Sequence, residues 1–203
     1  MLVIIDYKMG NLGSIANMLK KIGHPSIITS DTEVIKKATK IILPGVGSFD
    51  AAMKNIKELG LLELLNNKAL SEKIPFLGIC LGMQLLTQKS EEGFLPGLGW
   101  VNAETIKFKV EDQNLKIPHM GWNTISLPFH DVLFEEMPKN SRFYFVHSYH
   151  VLCNSEENVF SKSIHGYEFA SGIKKDNIMG VQFHPEKSHK FGMQLLKNFV
   201  ERC

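Results

Sequence analysis

The sequence predicts an α/β fold: a mostly parallel central sheet flanked by helices, with an antiparallel β-meander added in the second half. Three observations carry that expectation. Short β-branched runs alternate with amphipathic stretches through the first half, the pattern of strands joined by covering helices. From Trp100 onward the rhythm changes to strands joined by turns. Between the two halves, Gly78-Ile79-Cys80-Leu81-Gly82 follows the apolar run Ile74-Pro75-Phe76-Leu77, as a strand turning sharply into a helix requires.

Leu2 to Ile5 reads as the first strand. Asn11 to Ile22 carries Leu12, Ile15, Leu19 and Ile22 at helical spacing, and Gly23 ends it before a strand begins at Ser26 to Ile28. Lys40 to Leu43 is a third strand, leading into Pro44-Gly45-Val46-Gly47. A long helical pattern over Phe49 to Leu65 precedes a strand at Ile74 to Ile79, and Met83 to Leu86 opens the helix after the elbow. In the second half, Asp112-Gln113-Asn114 and Lys174-Lys175-Asp176-Asn177 read as hairpin connections, and Ile178 to Phe183 as a strand. Ser188 to Arg202 returns to helix, with Phe191, Leu195 and Phe199 on one face.

With 203 residues, 44% of them apolar, and no Pro/Gly/Ser-rich linker, the chain is expected to close as one domain over 1–203. The net charge of +2 and the dispersed lysines give no footing for nucleic acid or an anionic membrane. Cys80, Cys153 and Cys203 are odd in number and widely separated, so neither a disulfide framework nor a zinc site is suggested. A reduced, cytoplasmic setting fits. The N-terminus has no basic segment ahead of its apolar run, which itself contains Asp6, and no apolar stretch approaches the length of a membrane span.

Cys80 stands at the nucleophile position of the elbow. A lone cysteine is more often a buried structural residue, but the flanking glycines and the helix that follows, whose dipole favours thiolate, favour a nucleophile. A base is supplied by Gln182-Phe183-His184-Pro185-Glu186, where His184 falls at a strand end and Pro185 stops the ladder. In an extended segment Glu186, two residues on, points to the same side as His184 and orients its ring. The Pro44 to Gly47 loop is either an ordinary strand-to-helix turn or a source of backbone N–H donors for an oxyanion. A further donor comes from Leu81, the residue after the nucleophile.

Six segments resemble the class I (triad-type) glutamine amidotransferases, and among them the glutaminase subunits of imidazole glycerol phosphate synthases. They are Asp6 to Leu12, Leu43 to Gly47, Gly78 to Leu86, Pro118-His119-Met120-Gly121-Trp122-Asn123, Phe145-Val146-His147-Ser148-Tyr149 and Gln182 to Ser188, and the likeness covers essentially the whole chain. The elbow and the His-Pro-Glu segment belong to the whole class, the third from last and the first to the narrower group. The resemblance implies Cys80 as nucleophile on the glutamine amide, His184 as base and then acid, and Glu186 as the orienting carboxylate. It assigns the oxyanion donors to the N–H groups of Leu81 and of Val46 or Gly47. Gln84, Glu92, His147 and Ser148 match residues around the substrate. The bland alternatives are that Gln84 packs or caps, Glu92 is a solvated loop charge and His147 is a satisfied strand-end histidine. No cofactor and no metal are implied.

Free ammonia becomes ammonium in water, so an acceptor enzyme must receive it along a closed path. The chain has no room left for a synthase domain. The resemblance therefore implies a separate synthase (cyclase) subunit, a (β/α)₈ barrel forming a heterodimer, with Asn11, Met120, Trp122, Tyr144 and Lys187 near the interface. For Trp122 core packing is the alternative. Lys8 stands where the family usually has Gly, in the loop facing that partner. The expected product pair is imidazole glycerol phosphate and AICAR, in histidine biosynthesis. Two other readings are a paralogous subunit feeding a different amidotransferase, such as one acting on a surface-polysaccharide sugar, and a non-catalytic partner-binding module.

Overall fold

Strands buried on both faces need apolar residues at every position, and the run Leu2–Ile5 meets that need as β1. A computed structural model describes residues 1–112 and 114–203. Helix α1 (Leu12–Lys21) turns Ile15 and Leu19 inward, and β2 (Ile27–Thr29) follows. Next come α2 (Thr32–Lys36), capped by the Asp31 carboxylate on the N–H of Glu33, and β3 (Lys40–Gly45). The helical pattern expected over Phe49 to Leu65 is two helices, α3 (Phe49–Glu58) and α4 (Leu62–Asn66). The break falls at Gly60, whose φ of +67° no continuing helix accepts. Strand β4 (Phe76–Cys80) runs directly into α5 (Leu81–Leu85), which begins two residues earlier than the sequence suggested.

The second half is built from β5 (Ala103–Lys107), β6 (His119–Thr124), β7 (Arg142–His147), β8 (Tyr149–Cys153), β9 (Val159–His165), β10 (Tyr167–Lys175) and β11 (Ile178–Val181), ending in α6 (His189–Arg202). One sheet runs β2-β1-β3-β4-β11-β10-β8-β5, with β9 also paired to β10. Its pairs from β2 to β11 are parallel, and those among β5, β8, β9, β10 and β11 are antiparallel. The predicted mixed architecture is therefore the one observed. The hairpin at Asp176-Asn177 joins β10 to β11. The connection expected at Asp112-Gln113-Asn114 includes Gln113, which lies outside the described residues. The strands on either side, β5 and β6, belong to different sheets, so no hairpin pairs them.

Alternation along the parallel strands divides the core into two layers. Val3, Ile5, Ile41 and Leu43 face α2 to α5, whereas Leu2, Ile4 and Ile42 face α1 and α6. Leu195 and Phe199 of α6 are fully buried in the second layer, each contributing roughly 1.5–3 kcal/mol by leaving water. Strands β6 and β7 form a separate two-stranded sheet, joined to the main body by the backbone pair Tyr144 and His184. Among the described residues no helix is long and apolar enough to cross a membrane.

Candidate active site

The parallel arrangement brings the carboxyl ends of β3, β4 and β11 together, with Gly45 directly beside Cys80 in register. Cys80 takes φ +54° and ψ −110°, a strained elbow for any residue with a Cβ. Its neighbours permit that turn by lacking side chains. A Cβ at Gly82 would collide with the carbonyl oxygen of Leu43, and one at Gly78 would come within 2.6 Å of Gly82 O. Helix α5 is thereby pressed onto β3, and Leu81, its first residue, has an N–H with no partner inside the helix.

His184 Nδ1 and Glu186 Oε1 are 2.8 Å apart, both side chains almost wholly buried. The expected pairing is present, but by a different conformation. Residues Pro185–Lys187 form a 3-10 turn rather than an extended segment, and the turn swings the carboxylate back to the ring. Burial opposes a charge on His184. The negative charge and hydrogen bonding of Cys80, then those of Glu186, outweigh it and push the imidazole up to about 10. Nε2, the other ring nitrogen, is buried with no hydrogen-bond partner among the described residues. Glu186 Oε2 is likewise buried without a donor.

A cleft of about 350 Å³ opens above Cys80, at the small end of the range for ligand sites. Val46, Gly47, Leu81, Gln84, Glu92, His147 and Ser148 all line it, so every residue expected around substrate or oxyanion meets there. Pro118, Val146 and Tyr149 complete the wall. Glu92 is not a free loop charge: Oε2 accepts the N–H of Phe49 at 2.9 Å, which fixes the carboxylate at the start of α3. Gln84 Nε2 donates to Tyr149 O and to Gln182 Oε1, both at 3.1 Å. His147 Nδ1 donates to Tyr149 O at 2.8 Å, and its Nε2 accepts from His119 Nδ1 at 3.0 Å. Burial first, and the neighbouring histidines after it, hold both rings neutral, with His119 lowered to about 4.

Two features escaped the sequence reading. Tyr7, fully buried, donates to Pro44 O at 2.6 Å at the start of the Pro44 to Gly47 loop, and no local pattern announces that contact. Gln182 reaches the Cys80 sulfur, with Nε2 3.7 Å from Sγ. That one had a partial signal: Gln182 stands two residues before His184 in the run read as strand to Phe183, although β11 ends at Val181 and both residues lie just beyond it. Away from the cleft, Asn11, Met120, Trp122 and Lys187 are exposed and Tyr144 is half-buried. Trp122 is 45% exposed and stacks on His189 at 5.5 Å, so core packing is excluded for it. The Lys187 ammonium lies 5.6 Å from the centre of the Tyr144 ring. Lys8 adopts φ +66°, a conformation that suits the Gly usual at that place.

Comparisons with known proteins agree with the geometry. The family model described as glutamine amidotransferase class-I matches residues 3–203. The chain is 58% identical to imidazole glycerol phosphate synthase subunit HisH 2 of Methanococcus maripaludis, over 100% of both chains. It is 48% identical to subunit HisH 1 of Campylobacter jejuni, over 98% of this chain and 99% of that protein. Among solved structures, one titled glutamine amidotransferase superposes with a TM-score of 0.75 at 17% identity, covering 98% of this chain and 97% of the other. PurLQS of Thermotoga maritima gives 0.69 at 18%, covering 98% and 96%. At such identities the two structures show a shared fold.

Proposed function

Since the chain belongs to the class I glutamine amidotransferase family, we propose that it hydrolyses glutamine to glutamate and passes the ammonia to a synthase subunit making imidazole glycerol phosphate and AICAR in histidine biosynthesis. The observation that carries this reading is the small cleft that opens at Cys80, with the His184–Glu186 pair beside it and the Cys80 charge raising the proton affinity of His184. Cys80 Sγ attacks the side-chain amide carbon of glutamine, and the carbonyl oxygen becomes an oxyanion facing the N–H groups of Leu81 and of Val46 or Gly47. His184 gives its proton to the amide nitrogen. The C–N bond breaks and ammonia leaves. Water then adds to the glutamyl thioester, His184 taking its proton, and the C–S bond breaks to release glutamate and the thiolate. Glu92 and Gln84 hold the amino acid end of the substrate, with His147 and Ser148 along the wall.

In this reading residues 1–203 act as a single cytoplasmic domain and dock through Asn11, Met120, Trp122, Tyr144 and Lys187 on a (β/α)₈ barrel subunit, forming a heterodimer. The relatives named as synthase subunits support a second, synthase subunit as partner. Glutamate release by the purified subunit is measured alone and with the synthase partner, for wild type and Cys80→Ala. Release that rises with partner and vanishes in the variant is expected. Undiminished release by Cys80→Ala, or stable pairing only with a sugar-amidating enzyme, would overturn the assignment.

A further inference from the structure

We propose that Gln182 is a further catalytic group, whose side-chain amide donates a hydrogen bond to the Cys80 sulfur and stabilises it as the attacking thiolate and as the departing one. The inference rests on Cys80 being the nucleophile proposed above.

The placement starts from the end of β11. Val181 and Phe183 pack into the α1/α6 layer of the core, Gly180 faces the other way, and Gln182, one residue past the strand, has its amide at the Cys80 sulfur. A Cβ at Gly180 would come within 2.8 Å of Met83 in α5. This face of the chain therefore lies under the elbow helix, and Gln182 reaches the sulfur from just past the end of β11. Gln182 is wholly buried, with its own N–H bonded to Ser171 O at 2.9 Å.

Which end of the Gln182 amide meets the sulfur is fixed by logic rather than by its shape. Tyr149 O can only accept, so the atom of Gln84 that touches it must be the NH₂ group. That same NH₂ touches Gln182, which must then present its carbonyl oxygen to Gln84 and its own NH₂ to Cys80. The chain continues outward. Tyr149 O also accepts from His147 Nδ1, which leaves His147 Nε2 as acceptor for His119 Nδ1, and His119 Nε2 then accepts from Asn123 at 3.2 Å. Every member has one consistent direction, so the donor aimed at Cys80 is held by a connected series of bonds, the three nearest the sulfur and the histidine pair being buried or part-buried. An N–H dipole pointing at a thiolate in a dry site stabilises the anion; a carbonyl oxygen there would repel it.

The test measures Cys80 itself, apart from glutamine turnover. Gln182→Met loses both the donor and the acceptor and is the decisive variant; Gln182→Glu keeps the acceptor for Gln84 and loses the donor only once its carboxyl is ionised. Alkylation of Cys80 by iodoacetamide is followed by peptide mass analysis from pH 5 to 10, with Cys153 and Cys203 as internal controls. The expected result is alkylation of Cys80 at pH 7 slowed roughly tenfold or more, a profile displaced to higher pH, and kcat for glutamine reduced about 10- to 100-fold with KM within about twofold. A Cys80 profile matching wild type in a variant that melts normally overturns the inference and leaves the glutaminase reading intact. In the wild-type chain, the Gln182 side-chain amide protons, assigned by NMR through Gln84, should shift when Cys80 is alkylated. Unmoved protons would overturn the inference even if neither variant folds.

Discussion

The phenol of Tyr7 donates to the carbonyl oxygen of Pro44, at the root of the loop that carries Val46 and Gly47. Burial, with the charge of Cys80 behind it, keeps the phenol proton in place far above its usual range, so the donor is permanent. The hydroxyl also fills the space a side chain at Gly45 would need. Tyr7→Phe leaves a buried carbonyl without a donor, at a cost of about 1–2 kcal/mol in urea unfolding. The loosened loop is expected to lower kcat about tenfold, equivalent to ~1.4 kcal/mol in the barrier, with KM little changed. Wild-type kcat in Tyr7→Phe would show that the loop does not depend on this bond.

The raised proton affinity of His184 has separable causes. Removing the sulfur charge in Cys80→Ala leaves burial, which lowers it, against Glu186, which raises it. The imidazole of that variant is expected to titrate at lower pH than in wild type, read from ring-proton NMR. In Glu186→Gln the ring loses its anionic partner at Nδ1, and kcat should fall by about 10²-fold or more. An unchanged titration in Cys80→Ala would break the pairing of the two groups.

Acid should weaken the fold through the neutral histidines. Folded, His119 accepts a proton only at about 4 and His147 well below its ordinary value, because burial comes first and neighbouring rings second. Unfolded, both do so near about 6.5. Between those limits the unfolded chain holds more protons, so stability falls as pH drops from about 7 towards 4 and is indifferent to these groups above that range. Urea midpoints at successive pH values measure the slope. His119→Gln is expected to flatten it, and an equal slope in that variant would remove His119 as its source.

Trp122 and His189 stack on the outer face beside Met120, which is 61% exposed. A large aromatic left in water on a rigid strand has the character of an interface anchor. Trp122→Ala should melt within a few degrees of wild type and bind the synthase subunit about 10- to 100-fold more weakly by calorimetry, equivalent to ~1.4–2.7 kcal/mol. Equal affinity would place the docking surface elsewhere.

The parts of the fold legible in the sequence were those where one local rule decides. β1 is read from its apolar run and α6 from its 3.6-residue periodicity, and both stand where expected. The break at Gly60 was not legible, because a glycine inside a helical pattern is compatible with either continuation or a stop. Short α2 carries too few residues for a period to show. At the site, Cys80 and His184 were visible as motif residues. Tyr7 and the tautomer of His147 were not, since each depends on a carbonyl that only tertiary packing brings near.

The backbone N–H of His184 donates to Tyr144 O at 2.9 Å, and the N–H of Tyr144 is held at 3.0 Å by the hydroxyl of Ser188, which also bonds His184 O. The β6–β7 sheet is thus tied to the peptide unit of His184 as well as to β9 and the core. Force applied to the exposed side of Tyr144 or Trp122 is transmitted along covalent chain and three hydrogen bonds to the imidazole. A shift of the Tyr144 backbone therefore acts on the peptide that carries the imidazole directly, through one backbone bond and the Ser188 hydroxyl.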